Sequence, residues 1–277
     1  MTMQTVTGPS RPKSLGVIEL SKLPLFPPAA LKILGISTES DSAPEEFEGA
    51  FKSDPALAAE LLLVVNSAAF GGRSRIDSIR HAVLFLGLEK VKALANTVAF
   101  CFYVRSVSRT EFARCVWSHS IATALAAERI AILHGRTNGY TAGLLHDLGR
   151  LVFLKSAGQE YAKEMMQTAG SLHQSLELER ARFGMTHCEA GDEVVEHWGF
   201  PGTLHRCVAR HHDPAEGTDG ELQDIQLACH IATALGYPEV GLAGTPEYMF
   251  ESLPVPPGLD REDLAFEIKD KIAVMNP

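Results

Sequence analysis

The chain has 277 residues, 45% of them apolar, enough for one large domain or two smaller ones around a buried core. The net charge of −9 is uneven, +2 over residues 1–115 (13 basic, 11 acidic) and −11 over 116–277 (12 basic, 23 acidic), which argues against nucleic-acid binding by the second half. Apolar stretches as short as 61–65 and 83–86 exclude a membrane span, the polar opening MTMQTVTGPSRPKS does not read as a signal peptide, and five dispersed cysteines without a C-x-x-C pair read as reduced thiols, so a cytoplasmic protein is expected.

Residues 1–20 read as a disordered tail. Leu23-Pro24-Leu25-Phe26-Pro27-Pro28 is a proline-rich entry to a short helix over 29–34, and Ser42-Ala43-Pro44 opens an acidic helix. Ser53-Asp54-Pro55 is a helix start, with Asp54 as cap and Pro55 in the first turn. Leu57, Leu61, Val64 and Val65 keep helical spacing until Asn66-Ser67-Ala68-Ala69-Phe70-Gly71-Gly72, where the glycines stop it. Asp77-Ser78 begins the next helix, Gly87 ends it, and a long helix follows over 89–104. Ser106, Ser108 and Thr110 then interrupt the pattern. They divide an N-terminal helical subdomain, 21–110, from a C-terminal one, 111–277.

The second part opens with an apolar-periodic helix over 112–133. Asn138 is placed to cap the next, expected to carry Leu144-Leu145-His146-Asp147-Leu148-Gly149-Arg150 and to end near Leu154. A helix over 171–183 is closed by Gly184, and Thr186-His187-Cys188-Glu189 has capping-box spacing. Pro201 stands in the first turn of a helix that runs to His211-His212, residues 223–235 form another, and a charged helix follows Asp260. Sustained alternation is absent, so the fold class is all-α.

Ten of the eleven histidines lie between His119 and His230. Imidazoles and carboxylates on packed helices can converge on a first-row divalent ion. His146 and Asp147 are adjacent, and a helical hairpin sets His119 opposite them. His187, His211 and His212 add three more imidazoles. The set suits one ion, or two bridged by Asp147. Histidines at a helix end are favoured by the dipole alone, so His211 and His212 have a second reading. His134, His173, His197 and His205 read as surface or core, Trp117 and Trp198 as core, and Arg73, Arg75 and Arg80 as a solvated basic patch.

These motifs together resemble the HD superfamily of metal-dependent phosphohydrolases and, more closely, its HDOD branch. The N-terminal half carries Leu23-Pro24-Leu25-Phe26-Pro27, Ser53-Asp54-Pro55-Ala56-Leu57, Asn66-Ser67-Ala68 and Ile79-Arg80-His81-Ala82-Val83. The C-terminal half carries Trp117-Ser118-His119-Ser120, Gly143-Leu144-Leu145-His146-Asp147-Leu148-Gly149, Trp198-Gly199-Phe200-Pro201 and His211-His212-Asp213-Pro214. The resemblance covers roughly residues 20–236. It implies a multi-helix HD-like bundle of two packed subdomains and a bacterial signal-transduction module. It implies metal ligands at His119, His146, Asp147, His187, His211 and His212, holding one or two divalent ions (Fe, Mn, Ni or Zn).

The last ligand of the pattern, an Asp after Leu-Ala, is missing: the chain reads Leu227-Ala228-Cys229-His230. Cys229 or His230 could replace it, or the position is lost. No Gly-Tyr-Pro follows His211-His212, and Arg150 stands where the related HD-GYP enzymes carry Lys, which argues against cyclic di-GMP hydrolysis. Two functions follow from the resemblance. One is a non-catalytic regulatory module binding a signalling protein or a small phosphorylated ligand. The other is a phosphohydrolase in which Asp147 serves the nucleophile and Arg150 or Arg210 steadies phosphate.

Overall fold

The computed structural model describes residues 26–67, 75–168, 171–214, 220–240 and 249–274. Every regular element among them is helical. The expected tail, residues 23–25, the Phe70-Gly71-Gly72 stop and Arg73 lie outside the described residues.

Proline and small polar residues start the N-terminal helices. Pro28, Pro44 and Pro55 sit in the first turns of α1 (Pro28–Gly35), α2 (Ala43–Lys52) and α3 (Pro55–Val65), where a missing N–H leaves no bond unmade. Leu57 N donates to Asp54 Oδ1 at 3.0 Å, and His81 N donates to Ser78 Oγ at 3.1 Å to open α4 (Ile79–Leu86). α1, α3 and α4 pack on α5 (Leu88–Val107), in which the consecutive residues from Leu94 to Phe100 are all buried. α5 is therefore the inner helix of this half.

Thr110 caps α6 (Glu111–Leu133), the pole of the second half. Against it pack α7 (Gly139–Leu145), α8 (Leu148–Thr168), α12 (Gly220–Ala234) and α13 (Arg261–Val274). α9 (Leu172–Phe183), α10 (His187–His197) and α11 (Gly202–Arg210) complete the bundle. Small residues let α6 and α7 touch backbone to backbone. A Cβ on Gly143 would lie 2.8 Å from both Ala124 Cα and Thr123 O.

The chain turns at Ser108–Thr110, but the core does not divide there. Phe26 is fully buried, with its ring 5.9 Å from those of Trp198 and Phe200, and Tyr103 on α5 packs 5.3 Å from Trp198. One hydrophobic cluster runs through both halves. No helix among the described residues is long and apolar enough to cross a membrane.

One local expectation fails. The helix expected from Asn138 to Leu154 is two helices, parted by a turn at His146 and Asp147, and the second runs on to Thr168 across a non-helical Gly158 (φ 53°, ψ −127°). Asn138 adopts the left-handed conformation (φ 70°) and makes no side-chain cap bond. Apolar periodicity is continuous from Leu144 to Leu154, so nothing in the side-chain pattern marks the turn.

Candidate metal centre

Two adjacent side chains reach one site at this turn. On an unbroken helix they would diverge by about 100°. Here His146 and Asp147 are both fully buried, with His146 Nε2 3.9 Å from Asp147 Oδ2. The next residues hold the start of α8 against the start of α10, where Gly149 is required. A Cβ there would collide with the His187 carbonyl oxygen and lie 2.8 Å from Gly191 N. The expected capping box forms: Thr186 N donates to Glu189 Oε2 at 2.7 Å, and Glu189 N donates to Thr186 Oγ1 at 3.4 Å. That places His187 in the first turn of α10. α11 ends at Arg210, which leaves His211 and His212 in the turn beyond.

Four of the five histidines have their outer ring nitrogen committed to an acceptor. Nδ1–H donates from His119 to Tyr237 O (2.7 Å), from His146 to Gly143 O (2.6 Å), from His211 to Val208 O (2.9 Å) and from His187 to the Glu179 carboxylate (2.8 Å). Their Nε2 atoms all turn inward. His119 and His146 approach to 3.3 Å, His187 and His211 to 3.3 Å, and His212 Nε2 lies 3.2 Å from His187 Nε2. Asp147 Oδ1 sits 3.2 Å from His187 Nε2 and 3.5 Å from His211 Nε2, yet it is buried without a hydrogen-bond partner among the described residues. Lone pairs this close repel unless a proton or a cation lies between them. Ligand atoms about 2.0–2.2 Å from a common ion stand about 2.8–3.6 Å apart, the spacing seen here. Outer nitrogens fixed by carbonyl and carboxylate are also how metal-binding imidazoles are oriented.

Three buried acids and one buried base complete the centre. Arg150 is fully buried and donates from Nε to Asp147 Oδ2 (3.2 Å), from Nη1 to Glu179 Oε1 (3.0 Å) and from Nη2 to Glu239 Oε2 (2.9 Å). Burial pushes the Asp147 carboxyl up, but the Arg150 guanidinium beside it outweighs burial and holds it well below the usual range. Glu179 is likewise raised by burial but held at about 2 by His187 and Arg150, and its Oε1 also accepts from the Tyr161 hydroxyl at 2.8 Å. Glu239 stays low because His212 and Arg150 overcome burial and the neighbouring Asp147. Burial drives His146 down to about 3, leaving a neutral imidazole. Three carboxylates against one guanidinium leave two negative charges unmatched among these four groups, which protons or a cation can supply. Burial pushes His211 down, but Cys188 and Asp147 hold it well above its usual value, and His187 is raised as well. His187, pushed down by burial and Arg150 but up by Cys188 and Glu179, reaches about 10.

All six candidate ligands, His119, His146, Asp147, His187, His211 and His212, therefore converge, and Arg150 lies among them. Arg210, the other candidate phosphate group, instead pairs with Asp213 at the surface (2.7 Å). Of the two substitutes for the missing Asp, Cys229 faces inward, grouped with His119 and His146, whereas His230 is exposed. Sequence reasoning missed Glu179, Glu239 and Cys188. Cys188 Sγ lies 3.6 Å from His187 Nε2 and 3.9 Å from His211 Nε2. Its place beside His187 in the capping box could have marked it. Glu179 is one acid among several on a charged helix, and Glu239 follows α12 outside any periodic pattern.

Residues 23–214 match the HDOD domain family. The chain belongs to the HDOD family. An HDOD domain protein of unknown function from Geobacter sulfurreducens superposes with a TM-score of 0.74 at 24% identity, covering 94% of this chain and 92% of that one. A candidate signal transduction protein from Marinobacter aquaeolei VT8 superposes with a TM-score of 0.70 at 22% identity, over 93% of this chain and 60% of the other. A protein of Shewanella amazonensis SB2B, named as a candidate metal-dependent phosphohydrolase, gives 0.56 at 25% identity over 91% and 92%. By sequence, an uncharacterized protein of Treponema pallidum (strain Nichols) is 25% identical over 198 residues, 70% of this chain. This HDOD chain spans 38% of the length of that relative.

Proposed function

We propose that this HDOD protein is a regulatory module of bacterial signal transduction. It acts in the cytoplasm by binding a partner protein or a small phosphorylated ligand, and it holds a divalent metal in a closed centre without turnover. One observation carries this reading. The centre is buried, and each donor nitrogen of its one guanidinium already serves a carboxylate of the chain. A closed ligand set is the mark of a structural metal site, whereas a catalytic one keeps a position open. The name of the Marinobacter protein points the same way.

In this reading His119, His146, Asp147, His187, His211 and His212 hold one or two ions, Glu179 orients His187, and Arg150 keeps the carboxylates ionised. The ligand set itself favours a second reading, hydrolysis of a phosphoester or nucleotide, as the name of one Shewanella protein suggests. A bound ion would there hold phosphate and make a water acidic.

The test is metal content after chelator-free purification, followed by assay on a generic phosphodiester with added Mn²⁺. The regulatory reading expects bound metal and no turnover above that of His146→Ala. Turnover that His146→Ala abolishes would establish the hydrolase reading instead.

A further inference from the structure

Glu239 is not on any helix of the bundle. It lies just beyond α12, after the chain has closed that helix with Tyr237 N donating to Ala232 O at 2.9 Å. It nevertheless reaches the middle of the centre, with its side chain 11% exposed. Its two oxygens face different parts of the ligand set. Oε2 lies 3.2 Å from His212 Nε2 and 2.9 Å from Arg150 Nη2, whereas Oε1 lies 3.9 Å from His119 Nε2. Asp147, His187, His212 and Glu239 bring one donor atom each within 4.8 Å of one another. Asp147 Oδ1, without a hydrogen-bond partner among the described residues, faces the same space 3.2 Å from His187 Nε2. The backbone is tied in as well, because His119 Nδ1 donates to Tyr237 O two residues earlier.

We propose that Glu239 is a ligand of the divalent ion, and that ion binding thereby fixes the segment Tyr237–Glu239 onto the bundle. The proposal rests on the metal-centre reading above. The chemistry is that of a hard carboxylate oxygen added to imidazoles. It needs no thiolate from Cys229, the residue that α12 itself presents to His119 and His146. Occupancy of the centre is then linked to the conformation of the chain leaving α12. An ion that binds only the ordered form stabilises it by RT ln(1 + c/Kd), where c is the free ion concentration. That linkage gives a regulatory protein a metal-dependent state.

Titration of the full chain with Zn²⁺ and with Mn²⁺ by calorimetry tests this, comparing wild type with Glu239→Gln and Cys229→Ser. Gln keeps an oxygen for Arg150 and loses the charge. The expected result is affinity weakened at least about 10-fold in Glu239→Gln and unchanged in Cys229→Ser. Equal binding by Glu239→Gln and wild type, with loss in Cys229→Ser, would overturn the proposal and leave the metal centre standing. A wild type that takes neither ion would overturn both. Hydrogen exchange on wild type needs no variant. Amides of residues 237–239 are expected to gain protection when Zn²⁺ is added, and unchanged exchange there with protection elsewhere in the centre refutes the role of Glu239.

Discussion

Replacing Arg150 by Met should be among the most damaging changes to this protein. The guanidinium is fully buried and touches Asp147 at 3.2 Å, Glu179 at 3.0 Å and Glu239 at 2.9 Å. Met fills much of the volume and removes the charge, leaving three carboxylates in a low-dielectric space. Breaking a buried ion network from one side costs about 3–5 kcal/mol. For a chain of this size that lowers the melting temperature by roughly 6–20 °C. The loss should also depend on pH. Without Arg150 the carboxylates of the folded protein take protons more readily, so the gap between variant and wild type narrows as pH falls from 8 to 5. Thermal unfolding followed by circular dichroism at those two pH values measures both. A variant within about 2 °C of wild type at pH 8 would mean that Arg150 contributes no more than a solvated surface pair, and the electrostatic account would fail.

Gly149→Ala should push α8 away from α10, because the new Cβ meets backbone at the His187 carbonyl; a loss of at least about 1–3 kcal/mol in urea unfolding is expected, together with weakened metal binding. His146 has a folded pKa of about 3 against an ordinary 6.5, so its contribution is full above pH 6.5 and is lost as pH falls toward 3. Unfolding midpoints of the metal-free protein should therefore fall between pH 6.5 and 4, and a His146→Asn variant should show a flatter profile. Metal binding must displace the proton carried in the free centre by His187, which Cys188 and Glu179 raise to about 10, so apparent affinity for Zn²⁺ should rise from pH 6 to pH 8, with protons released in calorimetry run in two buffers. Phe26→Ala empties the ring contact that joins the halves to Trp198 and Phe200, and a loss of about 3–5 kcal/mol should appear in denaturant unfolding.

Much of the fold was legible because its signals are local. Asp54, Ser78, Thr110 and Thr186 cap helices by contacts three residues away, and Gly184 ends α9 in the left-handed conformation that glycine adopts at no cost. The histidine set was legible through its residue types and motif spacing. The turn at His146-Asp147 was not, since it leaves the apolar period untouched. Glu239 was hidden for a related reason. It reaches the site by the path of the chain after α12, and no spacing rule relates it to Asp147, 92 residues earlier. Arg150 could be seen in the motif, but its three carboxylate partners come from separate parts of the chain and give it a role that the motif does not state.

The central claim is that inward-facing imidazoles and an orphaned carboxylate oxygen hold a divalent ion. Crystals grown with Zn²⁺ and measured at the zinc absorption edge test it most directly. The account predicts an anomalous peak about 2.0–2.2 Å from Asp147 Oδ1 and from the Nε2 atoms of His187 and His211. Full zinc occupancy at some other place on the protein, with these atoms still 3.2–3.5 Å apart and nothing between them, would contradict it.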